Sequence, residues 1–160
     1  MVTSKAAVDA IQAVKRQEFL SASPSQLLRL ALKDLAEVEK MPDYRIDMTF
    51  WMRNIISMGD KEVCYVCLAG ACLVRRYSAD RSRVDKIINS REPEDQQIYM
   101  RMCALDCFRQ GQVAEGLRYL GFQLKPEMSY LYPVMPYFQD VELAKEDMAD
   151  LAELLEAHGF

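Results

Sequence analysis

The chain has 160 residues, about half of them apolar, with 20 basic against 24 acidic residues and a net charge of −4. That length can bury a core without staples, and the charge balance excludes whole-chain attraction to nucleic acid or to an anionic membrane. The longest apolar run, residues 63–74, has 12 residues, short of the ~20 that cross a bilayer.

Helical periodicity runs through most of the chain. A first helix is predicted from Lys5 to about Leu20, with Ala7, Ala10, Ile11 and Val14 on one stripe. Ser23-Pro24-Ser25-Gln26 is a start signal: Ser23 can cap, Pro24 suits the first helical position, and Gln26 completes a capping box. The helix it opens carries Leu27, Leu28, Ala31, Leu35 and Val38 and ends by Pro42. Next, Ile46, Met48 and Phe50 alternate with Asp47 and Thr49, which predicts a short extended segment leading to Trp51. A second extended segment around Arg53 to Ser57 would complete at most a small hairpin.

Gly59-Asp60 opens a helix predicted from Lys61 to Tyr77, with positions 63, 66, 67, 70, 71 and 74 apolar or small. Gly70 is expected to let a neighbouring helix approach closely, at a propensity cost of about 1 kcal/mol. Helices at 80–89 and 112–120 flank one that starts at Glu92-Pro93-Glu94 and runs to about Arg109, its first acids favourable to the helix dipole. The last helix, from Asp140 to about Ala157, sets Leu143, Ala144, Met148, Leu151 and Leu155 on its inner stripe. The expected architecture is a mainly α, single-domain helical bundle of six or seven helices over residues 1–160, with room for a small β-hairpin near Trp51. The first 19 residues spread charge through their apolar positions, unlike a signal peptide. Five cysteines in apolar settings suit reduced thiols, so a cytoplasmic protein is expected.

Four strings then share one likeness. Leu28-x-x-Ala31-Leu32-x-x-Leu35, Ile46-Asp47-Met48-x-x-Trp51, Cys64-x-Val66-Cys67-Leu68-Ala69-Gly70-Ala71 and Ala104-Leu105-Asp106-x-x-Arg109-x-Gly111-x-Val113 cover residues 28–121. Together they resemble a group of small phage and prophage proteins. The resemblance implies phage origin, the cytoplasm of a bacterial host and a mainly helical fold. The group has no assigned activity, so the resemblance carries over no catalytic residue. The first helix and residues 122–160 lie outside it, and function particular to this chain is expected in those flanks.

Few residues offer chemistry. Cys64 with Cys67, and Cys103 with Cys107, are spaced so that each pair would project from one helical face, and four thiols from two helices could in principle hold zinc. Their neighbours are Val, Leu and Ala, which supply no charge to ionise a thiol, so the cysteines read as small core residues and no cofactor is expected. The one histidine, His158, stands three residues from the end, which disfavours a His-based triad. Asp47 and Asp106 suit caps or turns better than acid catalysis. The reading leans away from an enzyme.

Charge is unevenly spread. Arg75, Arg76, Arg81, Arg83, Lys86 and Arg91 stand against Asp80 and Asp85, while residues 140–156 carry seven acids against Lys145. The basic segment could touch phosphate backbones, although it has no nucleic-acid motif and only Tyr77 for an aromatic. Between them, residues 122–138 read FQLKPEMSYLYPVMPYF, with Pro126, Pro133 and Pro136 excluding a continuous helix. Tyr130, Leu131, Tyr132, Met135, Tyr137 and Phe138 form the best candidate partner surface, because Tyr and Met give large contact area with a polar or pliable end. The sequence thus favours a non-catalytic phage accessory protein that binds a host, defence or phage protein through this loop and the acidic last helix, with self-association also open. A nucleic-acid binder using the basic segment, and a zinc or thiol protein built on the four cysteines, are the alternatives.

Overall fold

A computed structural model describes residues 4–48, 51–56, 62–123 and 140–160. Among them are seven helices, α1 (Lys5–Ser21), α2 (Pro24–Glu39), α3 (Leu68–Tyr77), α4 (Arg81–Asn89), α5 (Pro93–Arg109), α6 (Val113–Tyr119) and α7 (Val141–Ala157). Three short strands, β1 (Tyr44–Ile46), β2 (Met52–Ile56) and β3 (Glu62–Val66), complete them. The fold is mainly helical with a small β element, as the sequence leads one to expect. None of these helices is long and apolar enough to cross a membrane.

α2 forms where its signals stand. Ser23 Oγ accepts the Gln26 backbone N–H and the Gln26 side chain accepts the Ser23 N–H, so two orphan donors of the first turn are satisfied reciprocally. Its apolar positions Leu27, Leu28, Ala31, Leu35 and Val38 are all fully buried. α7 lies antiparallel along α2, with Arg29 paired to Glu156 at one end and Glu39 to Lys145 at the other. On α7, Ala144, Met148, Leu151 and Leu155 face inward as expected, but Leu143 is 41% exposed. One residue before Ala144, it is rotated by about 100° from that stripe.

The segment around Trp51 differs from the expectation in two ways. The two predicted extended segments do not pair with each other; both flank β3, in the order β1-β3-β2. β1 runs parallel to β3 with Tyr44 opposite Cys64, and β2 runs antiparallel to it with Asn54 opposite the same Cys64. The predicted long helix from Lys61 therefore gives up its first half to β3, and the helix starts only at Leu68. The run Val63-Cys64-Tyr65-Val66 is β-branched and aromatic enough to complete a sheet once two neighbours present their edges, and a short apolar run cannot be told apart by periodicity alone.

α3 is the central helix. Every residue from Leu68 to Leu73 is buried, with α1, α2, α5 and β3 packed around it. Gly70 does admit a close neighbour, but that neighbour is the backbone leading into β2. A Cβ on Gly70 would sit 1.8 Å from the Trp51 carbonyl oxygen and 2.9 Å from Val66 Cβ. Trp51 packs edge-on against Tyr99 of α5, with ring centroids 5.9 Å apart, so the seam between sheet and helices is closed on both sides.

α1 departs from the pattern. Only Phe19 of this helix is fully buried. The stripe predicted on it points away from the core: Ala7 and Ala10 are exposed, Ile11 is 53% exposed and Val14 68%.

Candidate functional site

The candidate partner residues Tyr130, Leu131, Tyr132, Met135, Tyr137 and Phe138 lie outside the described residues. Their flanks are described. Phe122 stacks edge-on against Phe160, with centroids 5.6 Å apart, at the C-terminal end of α7. Asp140 caps the other end, its side chain accepting the Leu143 N–H. The points where residues 124–139 leave and rejoin the described chain are thus set apart by the length of α7, 17 residues or about 25 Å.

α7 carries a continuous acidic face between those points. With its apolar stripe turned onto α2, positions 142, 146, 150 and 153 fall on the opposite side, and Glu142, Glu146, Asp150 and Glu153 are all exposed. Glu142 bonds Lys145, 3.0 Å away, whereas Glu146, Asp150 and Glu153 make no ion pair among the described residues. Leu143 stands exposed beside them. The combination of unneutralised carboxylates with an exposed leucine suits a basic surface that also offers an apolar contact.

The basic segment is not assembled in the same way. Arg76 is internal: Nε donates to Asp34 at 2.7 Å, Nη1 to Glu18 at 3.0 Å and to the Lys15 carbonyl at 2.9 Å, and its side chain is 5% exposed. It cannot reach a phosphate. Arg83 bonds Asp95 at 2.9 Å. Arg81 and Lys86 are exposed on α4, five positions and so about 140° apart around the helix, and Arg75 belongs to α3.

The thiols are likewise separated. Cys64 lies on β3 and Cys67 precedes α3 as its cap residue, so the first pair does not share a helical face. Among the described residues no three Cys, His, Asp or Glu side chains come together to hold a metal ion. Among the described residues the four thiols therefore do not gather as the zinc alternative requires, and the strand–helix junction at Cys67 separates the first pair. Burial pushes Cys67 up to about 11, and burial followed by the neighbouring Cys103 pushes Cys107 to about 11. Burial also raises Cys64, Cys72 and Cys103. Nucleophilic thiolates are suppressed at neutral pH. In the native protein, iodoacetamide is expected to leave Cys67 and Cys72 unlabelled and to modify Cys107 slowly, with a rate still rising at roughly pH 9. Peptide mass spectrometry reads this directly, and rapid labelling at neutral pH would restore the thiol-dependent alternative.

Sequence reasoning missed the most connected polar group. Asp34 of α2 and Arg76 of α3 form a buried two-point contact, Nε to Oδ2 at 2.7 Å and Nη2 to Oδ1 at 3.3 Å, and the Cys72 thiol donates to the same carboxylate. Burial raises the Asp34 carboxyl above its ordinary 3.8, while Arg76 pulls it back down. Asp106, by contrast, accepts from Arg109 at 3.1 Å within the same helix, an ion pair where a cap or turn contact is expected. The one sequence signal for the pair is Asp34 itself, an acid amid the apolar positions of α2.

Open hollows lie elsewhere. One of about 360 Å³ runs between the end of α1 and the start of α2, lined by Glu18, Gln26, Arg29 and Lys33. Another of about 470 Å³ lies beside Met100, Tyr119 and Gly121. No family model, curated protein or solved structure matches this chain.

Proposed function

We propose that this chain acts by binding a protein and catalyses no reaction, its contact surface being the acidic face of α7 together with the aromatic segment 130–138. The observation that supports this reading is the exposed acidic face of α7, whose two ends lie beside the described flanks of the aromatic stretch, Phe122 packed on Phe160 and Asp140 capping the helix. The partner chemistry that fits is a basic surface with an apolar pocket. By the resemblance of residues 28–121, that partner is a host or defence component met by a phage protein in the bacterial cytoplasm.

Affinity purification of the tagged protein from host cells, with bound species identified by mass spectrometry, tests the reading. A stoichiometric basic partner is expected, released progressively as salt is raised. Tyr130→Ala, Tyr132→Ala and Tyr137→Ala combined should abolish capture. Glu146→Lys, Asp150→Lys and Glu153→Lys combined should weaken it by about tenfold or more, with the circular dichroism of both variants unchanged. Recovery of the protein alone, or capture indifferent to both variants, would remove the proposal.

A further inference from the structure

The outward side of α1 is the feature that internal packing leaves unexplained. Phe19, Gln12 and Arg16 turn toward the body of the protein, while Ala6, Ala7, Ala10, Ile11, Ala13 and Val14 lie on the far side and are exposed. The one charged residue between positions 6 and 14, Asp9, is itself exposed and stands at the edge of that face, about 40° around the helix from Ala13. A helix stripe of this kind normally faces a core. Here it faces water, and Lys5–Ile11 are exposed throughout, so these turns lack the tertiary packing from which protein helices draw most of their stability.

We propose that this face is the contact between two copies of the chain, paired through antiparallel α1 helices. The order of sizes along the stripe argues for a second copy. Ala7 and Ala10 come first, Ile11 and Val14 second, symmetrically about the midpoint between positions 10 and 11. An antiparallel partner sets Ala7 against Val14 and Ala10 against Ile11, so each large side chain meets a small one and the helices approach closely. A parallel partner would set alanine against alanine and bring Lys15 beside Lys15 and Glu18 beside Glu18. The face is also small, well under the ~20 residues a side of a standard interface, so the dimer forms reversibly with concentration.

Sedimentation equilibrium of the full chain over micromolar to millimolar concentrations is the test. A monomer–dimer equilibrium is expected, and Val14→Glu with Ala10→Glu should shift it to monomer with no change in melting temperature, since both positions are exposed. Register is read separately. A chain carrying Ala7→Cys and Val14→Cys should give a disulfide-linked dimer on mild oxidation, whereas neither single substitution should. A wild-type protein that stays monomeric throughout overturns the proposal. So does a dimer that survives the double Glu variant, or one cross-linked by Val14→Cys alone. Partner capture under the preceding section is read at α7 and residues 130–138, so failure of one reading leaves the other standing.

Discussion

Replacing Gly70 with alanine is expected to destabilise the protein by about 3 kcal/mol or more, enough to leave little folded material. In urea unfolding, the midpoint should fall sharply with little change in slope. The argument is steric. The new Cβ would stand 1.8 Å from the Trp51 carbonyl oxygen and 2.9 Å from Val66 Cβ. The first of these belongs to backbone and cannot turn aside as a side-chain end would. Relief requires the lead-in to β2 to retreat, and that opens the packing of Trp51 on Tyr99. Alanine has the better helix propensity by about 1 kcal/mol, so the result separates the two effects by sign. A stabilised variant would show that the seam between sheet and α3 is looser than described. Gly116→Ala provides a comparison, because its Cβ would meet the ring of the fully buried Phe108 at 2.5 Å and the Ala104 carbonyl oxygen at 3.1 Å, a clash mainly with a side chain instead of with backbone.

The second large effect is expected at Arg76. Arg76→Met removes the partner of a buried carboxylate, and breaking such a pair costs about 3–5 kcal/mol. The loss should depend on pH. Burial already holds Asp34 above its ordinary 3.8, and the variant deletes both the hydrogen bonds and the attraction that restrain it, so its folded value climbs further. A carboxyl whose folded value exceeds the unfolded one contributes stability fully present below pH 3.8 and lost as pH rises through the folded value. The gap between variant and parent should therefore be widest near neutral pH and narrow as the solution is acidified, measured by urea unfolding across that range. Asp34→Leu combined with Arg76→Met should recover most of the loss, since apolar replacement of a whole buried pair is often neutral or better. A gap that does not vary with pH, with no recovery in the double variant, would place the cost in lost packing of the arginine stem.

These two positions also show where the sequence is legible. The capping box at Ser23 and the buried stripe of α2 are local chemistry, and local chemistry reads directly. The inner face of α7 reads almost as well, failing only at Leu143, where the stripe was drawn one residue too wide. β3 could not be read because its strand character depends on β1 and β2 offering edges from elsewhere in the chain. Arg76 reads as surface because an arginine beside another arginine suggests solvent. Its acceptor Asp34 lies 42 residues away, and no periodicity connects them. The α1 stripe reads as a stripe, but periodicity gives only the spacing of a face and not the direction in which the rest of the chain lies. The acidic face of α7 was legible from charge alone. What the fold adds is its position between Phe122, packed on Phe160, and Asp140 at the start of the helix.

The antiparallel seat of α7 on α2 has a consequence in time. Pairs such as Arg29 with Glu156 and Glu39 with Lys145 join segments more than 100 residues apart in sequence. During synthesis at about 5–20 residues per second, α2 emerges many seconds before the helix that covers it. For that interval the part of its leucine-rich side that α3 leaves to α7 is an adhesive surface on a nascent chain, open to chaperones and to neighbouring nascent copies. The yield of folded protein in a cell is thus set partly by how fast the codons for residues 40–157 are translated. Slowing the ribosome over that stretch, with no amino acid altered, would prolong the most vulnerable stage of this molecule's life.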